Sequence, residues 1–278
     1  MSDLHSLNEA INKRAGRKLI PSIGVGIVIL ALVIGSLSFF DRILFLLLAL
    51  AFVYRGIWEM NRALTRANIS ICSSLYFSAT VIFVAAWFEG IAGIAVATAL
   101  TVPFTLVAIL TRGPQDFVRN AFASIFTLAY IPFLASFLLT MAKEDDGLRR
   151  IMTLVVLVAC NDTFGYIFGV LLGKHKIAPT ISPKKSWEGL AGSVICTAVG
   201  GSLMLSSYFD QPWWVGVLVG LGAVITATSG DLIESAIKRD LDLKDMGALL
   251  PGHGGVLDRL DSVLLTSPFV WAILNLVS

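Results

Sequence analysis

Residues 212–234 read P-W-W-V-G-V-L-V-G-L-G-A-V-I-T-A-T-S-G-D-L-I-E, an apolar run that meets its first charge at Asp231. A helix needs about 20 consecutive apolar residues to cross a bilayer, so this run is long enough. Lipid offers no hydrogen-bond partners to the backbone, and such spans therefore form α-helices. Similar runs recur along the chain, of which only 14% is charged, against about 25% in soluble domains. The sequence predicts an all-α, polytopic membrane protein.

The apolar runs predict nine transmembrane helices and an orientation. The second run is short for a crossing, which leaves room for a helix that continues beyond the membrane. With a cytoplasmic N-terminus, the Lys and Arg residues concentrate in cytoplasmic segments, which supports both the helix count and the orientation. It also puts residues 235–261 in the cytoplasm. The predicted spans are 19–40, 42–55, 71–88, 91–110, 121–140, 151–172, 189–208, 212–234 and 262–277.

A dense charged segment follows the run quoted above. Residues 235–261 read S-A-I-K-R-D-L-D-L-K-D-M-G-A-L-L-P-G-H-G-G-V-L-D-R-L-D. Ionisable residues at a membrane are costly and indicate function. Asp231, Ser235 and Lys238 are spaced i, i+4, i+7, so a continuous helix places them on one face. That face combines a carboxylate, a hydroxyl and a phosphate-binding lysine; the alternative interpretation is an interfacial polar cap.

Two further carboxylates, Asp258 and Asp261, stand three residues apart just before the last span. Carboxylates that converge on one point repel each other unless a cation offsets them, and Mg²⁺ prefers oxygen ligands. Together with Asp231 they are candidates for a magnesium site. The alternative is that both cap the N-terminus of the last helix.

The Gly-rich turn between these acids is a candidate anion site. Gly252, Gly254 and Gly255 permit close backbone approach, and successive N–H groups can then cradle a phosphate. His253 could donate to a phosphate, orient a ligand or cap the turn. Cationic side chains flank the turn and strengthen the interpretation: Lys238, Arg239, Lys244 and Arg259.

A second polar cluster follows the sixth span, where residues 173–189 read G-K-H-K-I-A-P-T-I-S-P-K-K-S-W-E-G. Lys184 and Lys185 are candidates for a substrate-phosphate contact, although the loop could simply anchor the chain at an anionic membrane surface. Asp162 lies inside an apolar span, where an acid is a functional candidate. It could line the same cavity, bind a substrate hydroxyl, pair with a lysine or make a structural interhelical hydrogen bond.

These residues resemble the signature of the phosphatidate cytidylyltransferase family, also called CDP-diacylglycerol synthases. Residues 182–189 and 161–163 resemble the family as well. The resemblance covers about the last 120 residues, while the first 150 match only as membrane helices. The signature positions are Ser235, Lys238-Arg239, Lys244-Asp245, His253-Gly254-Gly255 and Asp258-Arg259-Leu260-Asp261.

The resemblance implies a membrane enzyme, usually dimeric, that joins CTP and phosphatidate to give CDP-diacylglycerol and pyrophosphate. We expect direct in-line attack on the α-phosphate, dependent on Mg²⁺. Residues 1–140 would be N-terminal membrane helices, and residues 141–278 the catalytic region with cytoplasmic loops 173–188 and 235–261. The plasma membrane is the expected location, with the site facing the cytoplasm and no nucleic-acid partner.

The resemblance also assigns roles to individual residues. Asp231, Asp258 and Asp261 would be metal and catalytic carboxylates, with Lys238 as a further catalytic residue. The remaining positions would bind the two substrates: Ser235, Arg239, Lys244, His253, Gly254, Gly255, Arg259, Lys184, Lys185 and Asp162.

Two other functions compete with this interpretation. A CTP-using lipid or polyprenol kinase shares part of the motif but transfers the terminal phosphate, so its product carries no cytidine. A transporter or channel would use the buried acids as a cation path. The cationic, Gly-rich loop on one side of the membrane argues against transport, as does the absence of matching interrupted helices in the two halves.

Overall fold

The computed structural model describes residues 19–39, 42–247 and 254–277. A π-helical turn at Ala129–Phe133 joins α4 to α5, and two short antiparallel strands, β1 (Lys176–Ala178) and β2 (Ser182–Ser186), separate α6 from α7. The helices are α1 (Leu19–Ser38), α2 (Ile43–Thr65), α3 (Ser74–Leu110), α4 (Phe117–Leu128), α5 (Leu134–Lys143), α6 (Gly147–Leu172), α7 (Trp187–Phe209), α8 (Trp213–Asp240) and α9 (Leu257–Val277).

The described residues contain seven helices that are long and apolar enough to cross a membrane. This count treats α4, the π-helical turn and α5 as one helix, and α3 as one helix. The protein is therefore a multi-pass helical membrane protein, as the composition predicts. The apolar helical stretch Gly26–Ser38 in α1 is shorter than these seven helices. The count of nine crossings and the cytoplasmic N-terminus stay predictions.

Helix α3 is two antiparallel arms rather than one rod. Gly90 has φ 57° and ψ −135°, a conformation outside the helical region that glycine adopts without steric cost. Ser78 Oγ and Thr105 Oγ1 lie 3.3 Å apart although 27 positions separate them. A straight helix would hold them about 40 Å apart. The arms correspond to the separate spans predicted at 71–88 and 91–110.

Helix α2 continues well beyond its predicted apolar end at residue 55, as far as Thr65. Its later turns keep one buried face, which includes Ile57, Met60 and Ala63. The same face carries an acid, Glu59, whose side chain is fully buried. The extension therefore brings a charged group from the N-terminal half into contact with the C-terminal half.

The C-terminal half is built from α6, α7, α8 and α9, each of which packs against the next. Leu157, Ala223 and Leu264 are fully buried where these helices meet. Since the carboxyl end of α8 and the first turn of α9 lie at the same end of this group, their polar residues come together there. This arrangement positions the candidate site.

The β-hairpin between α6 and α7 is the one departure from an all-helical fold in the described part of the chain. Its strands hold three and five residues, too few for an alternating pattern to stand out in the sequence. The hairpin ends where Ser186 caps α7, because the Ser186 hydroxyl accepts a hydrogen bond from Gly189 N at 3.2 Å. This cap fixes the direction in which β2 enters the helix.

Candidate active site

The carboxyl end of α8 meets the β-hairpin through an ion pair. Lys185 Nζ lies 2.9 Å from Asp231 Oδ2, and Ser235 Oγ donates to Asp231 Oδ1 at 3.1 Å. The shared helical face predicted for Asp231 and Ser235 is therefore present. The side chains of Lys185 and Asp231 are 21% and 34% exposed, so a ligand can reach this pair.

The two neighbouring lysines of β2 have different surroundings. Side chains alternate between the faces of a strand, so Lys184 and Lys185 point to opposite sides. Lys185 faces α8 and also donates to Thr228 O at 3.4 Å, whereas Lys184 is exposed. Of the two phosphate-binding candidates, the structure brings only Lys185 to the acids of α8.

One turn beyond Ser235, Lys238 bridges two carboxylates. Its Nζ lies 2.6 Å from Glu234 Oε2 and 2.8 Å from Asp258 Oδ1. Lys238 is 13% exposed and its partners are 0% and 6% exposed, respectively. A buried charge costs several kcal/mol unless it is paired and hydrogen-bonded, and the triad meets that requirement. Lys238 therefore links α8 to the start of α9.

Asp258 uses both of its carboxylate oxygens. Oδ1 accepts from Lys238, while Oδ2 accepts from Met246 N at 3.0 Å and Gly255 N at 2.7 Å. Both amides precede α9, so Asp258 holds the chain before the helix rather than capping amides within its first turn. The side chain that we predicted as a metal ligand thus has a network of its own.

Asp261 is buried at the interface between α8 and α9. Its Oδ1 accepts from Ser262 N at 2.7 Å, which occupies one of its two oxygens. Asp261 also lies within electrostatic range of Asp231 and Asp162. Three predicted acids therefore face a common region from three different helices.

Near the site, Asn161 rather than its neighbour Asp162 makes the described hydrogen bonds from α6 to other helices. The Asn161 carbonyl accepts from Ser193 Oγ at 2.6 Å, and its side-chain Oδ1 accepts from Thr228 Oγ1 at 3.4 Å. Asn161 Nδ2 donates to Asp162 Oδ1 at 2.9 Å. Asp162 lies within electrostatic range of Lys185, and its predicted pairing with a lysine stays a prediction.

The remaining predicted cations have structural or exposed positions. Arg239 Nε donates to Ile181 O at 3.2 Å and its Nη1 to Leu243 O at 3.3 Å. Arg239 thus ties the hairpin to α8 through backbone carbonyls. Lys244 is exposed, and Arg259 is half-buried in the first turn of α9.

Of the predicted Gly-rich turn, the structure describes only its last two residues. Gly254 has a positive φ of 79°, and Gly255 is buried. His253 and Gly252 lie outside the described residues, so the role of His253 stays a prediction.

An acid that sequence reasoning passed over, Glu188, closes the base of the hairpin. Its carboxylate accepts from Lys174 N at 3.0 Å, from His175 N at 3.2 Å and pairs with His175 Nδ1 at 2.7 Å. These bonds join the end of α6 to the start of α7. The hairpin that carries Lys185 is consequently held at both of its ends.

Sequence reasoning also missed two fully buried glutamates, Glu59 and Glu234. Glu59 accepts a hydrogen bond from Leu257 N at 2.9 Å. Glu234 binds Lys238 through Oε2, and within the described residues its Oε1 has no hydrogen-bond partner. A single acid on the apolar face of a helix was the available signal for both residues. The amide that binds Glu59 lies too far along the chain to be recognised from local spacing, whereas Lys238 is only four residues from Glu234.

The model of the cytidylyltransferase family matches residues 17–277. A phosphatidate cytidylyltransferase of Mycobacterium leprae is 36% identical over 281 residues, which cover 95% of this chain and 90% of that protein.

Two further relatives match over shorter alignments. A phosphatidate cytidylyltransferase of Mycobacterium bovis is 40% identical over 164 residues, 59% of this chain and 54% of that protein. The protein of the same name from Staphylococcus haemolyticus is 39% identical over 163 residues, 58% of this chain and 62% of that protein. These two alignments thus span a little over half the length of the relatives.

Proposed function

Because the chain belongs to the cytidylyltransferase family, as the motif at residues 235–261 predicted, we propose that it condenses CTP with phosphatidate. The products are CDP-diacylglycerol and pyrophosphate. The observation that carries the proposal is the accessible Lys185–Asp231 pair beside Ser235, at the polar end of membrane-spanning helix α8. A membrane helix that ends in a phosphate-binding site suits one lipid substrate and one soluble substrate.

The reaction joins two anions, so charge and positioning dominate the barrier. A phosphate oxygen of phosphatidate attacks the α-phosphorus of CTP. The new phosphorus–oxygen bond forms as the bond to the β-phosphate oxygen breaks, and pyrophosphate leaves in line with the attack. No covalent intermediate with the protein is required. The enzyme therefore needs cations and hydroxyls at fixed positions rather than a nucleophile.

Lys185 supplies the accessible cation. In the described structure its ammonium is held by Asp231 Oδ2 and Thr228 O, which fixes where an incoming phosphate meets positive charge. Ser235 is an orienting group, since its hydroxyl holds the other Asp231 oxygen. Lys238 bridges the carboxylates of Glu234 and Asp258 and so keeps α8 and α9 at a constant separation. Its positive charge also contributes to the electric field at the site.

The residues present fit a magnesium ion whose coordination shell is completed by substrate phosphates. Mg²⁺ is usually held by one or two carboxylates together with water and phosphate oxygens. Within the described residues no three His, Cys, Asp or Glu side chains form a metal-ligand group. Asp231 and Asp261 are the two acids that we assign to the ion. When bound, the ion would neutralise charge on the triphosphate.

Asp258 was also predicted as a metal ligand, and this role stays a prediction. Its two oxygens are occupied by Lys238 and by the amides of Met246 and Gly255. We therefore favour a supporting role, in which Asp258 orients Lys238 and the start of α9. The oxygens of Asp231 are also held, by Lys185 and Ser235, but Asp231 is 34% exposed and Asp258 only 6%, so an ion reaches Asp231 more easily.

We further propose that the site faces the cytoplasm of a plasma-membrane protein, from which CTP arrives, while phosphatidate enters from the bilayer between helices. The concentration of Lys and Arg in the loops on one side supports this orientation. A homodimer, as the family resemblance implies, belongs to the same proposal.

The test uses purified protein in mixed micelles with phosphatidate, Mg²⁺ and CTP labelled in the cytidine. We expect label in the organic phase, and its loss when EDTA is added. Lipid that gains phosphate from CTP labelled at the γ-position, without gaining cytidine, would identify a kinase instead. Cation flux across vesicles without nucleotide turnover would identify a transporter. Either result from folded protein overturns the proposal.

A further inference from the structure

Glu59 is an acid of the N-terminal half that reaches the site of the C-terminal half. It stands on the extension of α2, fully buried. Its Oε2 accepts a hydrogen bond from Leu257 N at 2.9 Å, across 198 positions of sequence. Leu257 opens α9, the helix that carries Asp258 and Asp261. A helix leaves its first amides without partners inside the helix. Glu59 supplies a partner for one of them.

Two glycines make room for this carboxylate. A side-chain carbon added at Gly247 or Gly255 would overlap the Glu59 carboxyl group. The same two glycines approach each other closely, since a Cβ at Gly255 would lie 2.8 Å from Gly247 N. Glu59 therefore lies against both chain segments that flank residues 248–253, and its position depends on the absence of side chains there.

The other oxygen of Glu59 faces a cation. Arg55 Nε lies 3.1 Å from Glu59 Oε1, one turn earlier on α2. The Arg55 guanidinium also stacks on the Trp58 ring, with 4.0 Å between its carbon and the ring centroid. These contacts restrict the rotamers of Arg55, which in turn keeps the Glu59 side chain oriented. A charge-assisted hydrogen bond to a buried amide is stronger than a neutral one.

Glu59 and Asp258 bind amides within the same few residues. Asp258 Oδ2 binds Gly255 N, and Glu59 Oε2 binds Leu257 N only two residues later. Each carboxylate holds one amide at the entrance of α9. The start of α9 is thus held both by Glu59 of α2 and by Asp258 of α9. Asp258 also connects the start of α9 to Lys238.

We propose that Glu59 is a positioning residue, which sets the first turn of α9 so that Asp261 faces Asp231 and Asp258 holds Lys238. The inference rests on the proposed cytidylyl transfer for its catalytic consequence, but not for its structural one. Glu59 itself contacts no substrate in this scheme. Substitution of Glu59 should therefore impair the response to Mg²⁺ and to CTP more than it impairs phosphatidate binding.

The test compares Glu59→Gln with Arg66→Ala, a control at the C-cap of the same helix. The glutamine keeps the size of Glu59 but loses its charge, and Arg66 is exposed. Hydrogen exchange is measured on a peptide that covers residues 254–262, and on peptides from α7 for reference. We expect faster exchange in residues 254–262 of Glu59→Gln alone, with no change in the α7 peptides.

Kinetics of the same proteins supply the second readout. For Glu59→Gln we expect kcat/KM for CTP to fall about tenfold, the size of effect that loss of one charged hydrogen bond produces, and half-saturation by Mg²⁺ to rise. KM for phosphatidate should stay near that of the parent protein, whereas the melting temperature should fall, because a buried charge pair loses one of its charges. Arg66→Ala should match the parent in every measurement.

The outcomes separate the two proposals. If the parent protein forms no labelled lipid, the proposed function fails, while exchange at residues 254–262 still tests the Glu59 contact. Unchanged exchange in Glu59→Gln overturns the positioning role. So does faster exchange in every helix with normal turnover per folded molecule, because this result describes a residue that only stabilises the protein.

Discussion

Lys185 Nζ and Asp231 Oδ2 lie 2.9 Å apart and join the β-hairpin to the carboxyl end of α8. The pair is partly exposed, so the attraction between its charges is weakened by solvent and contributes little to stability. Its significance is that it places a reachable ammonium next to an acid. Substitution of either residue should therefore affect substrate binding more than folding.

Lys185→Ala should weaken phosphatidate binding more than CTP binding. Loss of a charged hydrogen bond costs about 1.5–3 kcal/mol, so kcat/KM for phosphatidate should fall about tenfold to a hundredfold. Steady-state kinetics with each substrate varied in turn measure this. Lys184→Ala is the control, because that lysine points away from α8, and it should remain close to the parent. Equal losses for both substrates in Lys185→Ala would argue against a headgroup contact.

Asp261→Asn should abolish turnover while the protein stays folded in detergent. The amide keeps the size of the side chain and can still accept the hydrogen bond from Ser262 N, but it removes a charge that we assign to Mg²⁺. Label transfer into lipid at increasing Mg²⁺ measures the effect, and excess metal should restore little activity. Near-normal turnover would remove Asp261 from the metal site.

Asp258→Asn should lose activity together with stability, unlike Asp261→Asn. The substitution leaves Lys238 with one carboxylate instead of two and weakens bonds from two amides. Breaking a buried charge pair costs about 3–5 kcal/mol, so the melting temperature in detergent should fall clearly. A variant that melts like the parent but has lost its Mg²⁺ response would instead favour a direct metal role for Asp258.

Gly255→Ala should destabilise the protein, because its added carbon would overlap the Glu59 carboxylate. Overpacking of a buried site costs about 1–3 kcal/mol. Gly35→Ala is the matched control, since nothing lies within 4 Å of the carbon that it adds. Thermal unfolding in detergent compares the two. If both variants melt at the same temperature, the space around Glu59 is larger than the structure indicates.

The helices were predictable because long apolar runs and their breaks are local properties. The face shared by Asp231 and Ser235 was predictable for the same reason, since it follows from helical spacing alone. Residues 71–88 and 91–110 could be separated in the sequence at the glycine where α3 turns back. Lys185 was a sound candidate, but its advantage over Lys184 depends on a strand too short to recognise.

The contacts that cross the chain could not be predicted in this way. Sequence spacing suggested that Asp258 and Asp261 act together, whereas the structure pairs Asp258 with Lys238 and two amides. No local pattern connects Glu59 with Leu257, since their contact exists only after the N-terminal and C-terminal helices have packed. A buried acid indicates that a partner exists without revealing which residue it is.

The distance in sequence between Glu59 and Leu257 has a consequence for how the protein is made. During synthesis α2 enters the membrane long before α9 has left the ribosome, so Glu59 is first accompanied only by Arg55 of its own helix. The amide of Leu257 arrives with the final helix, 198 residues later. A chain cut short before α9 therefore lacks this bond together with Asp258 and Asp261. The bond that completes the packing of Glu59 can form only in a chain that also carries these two acids.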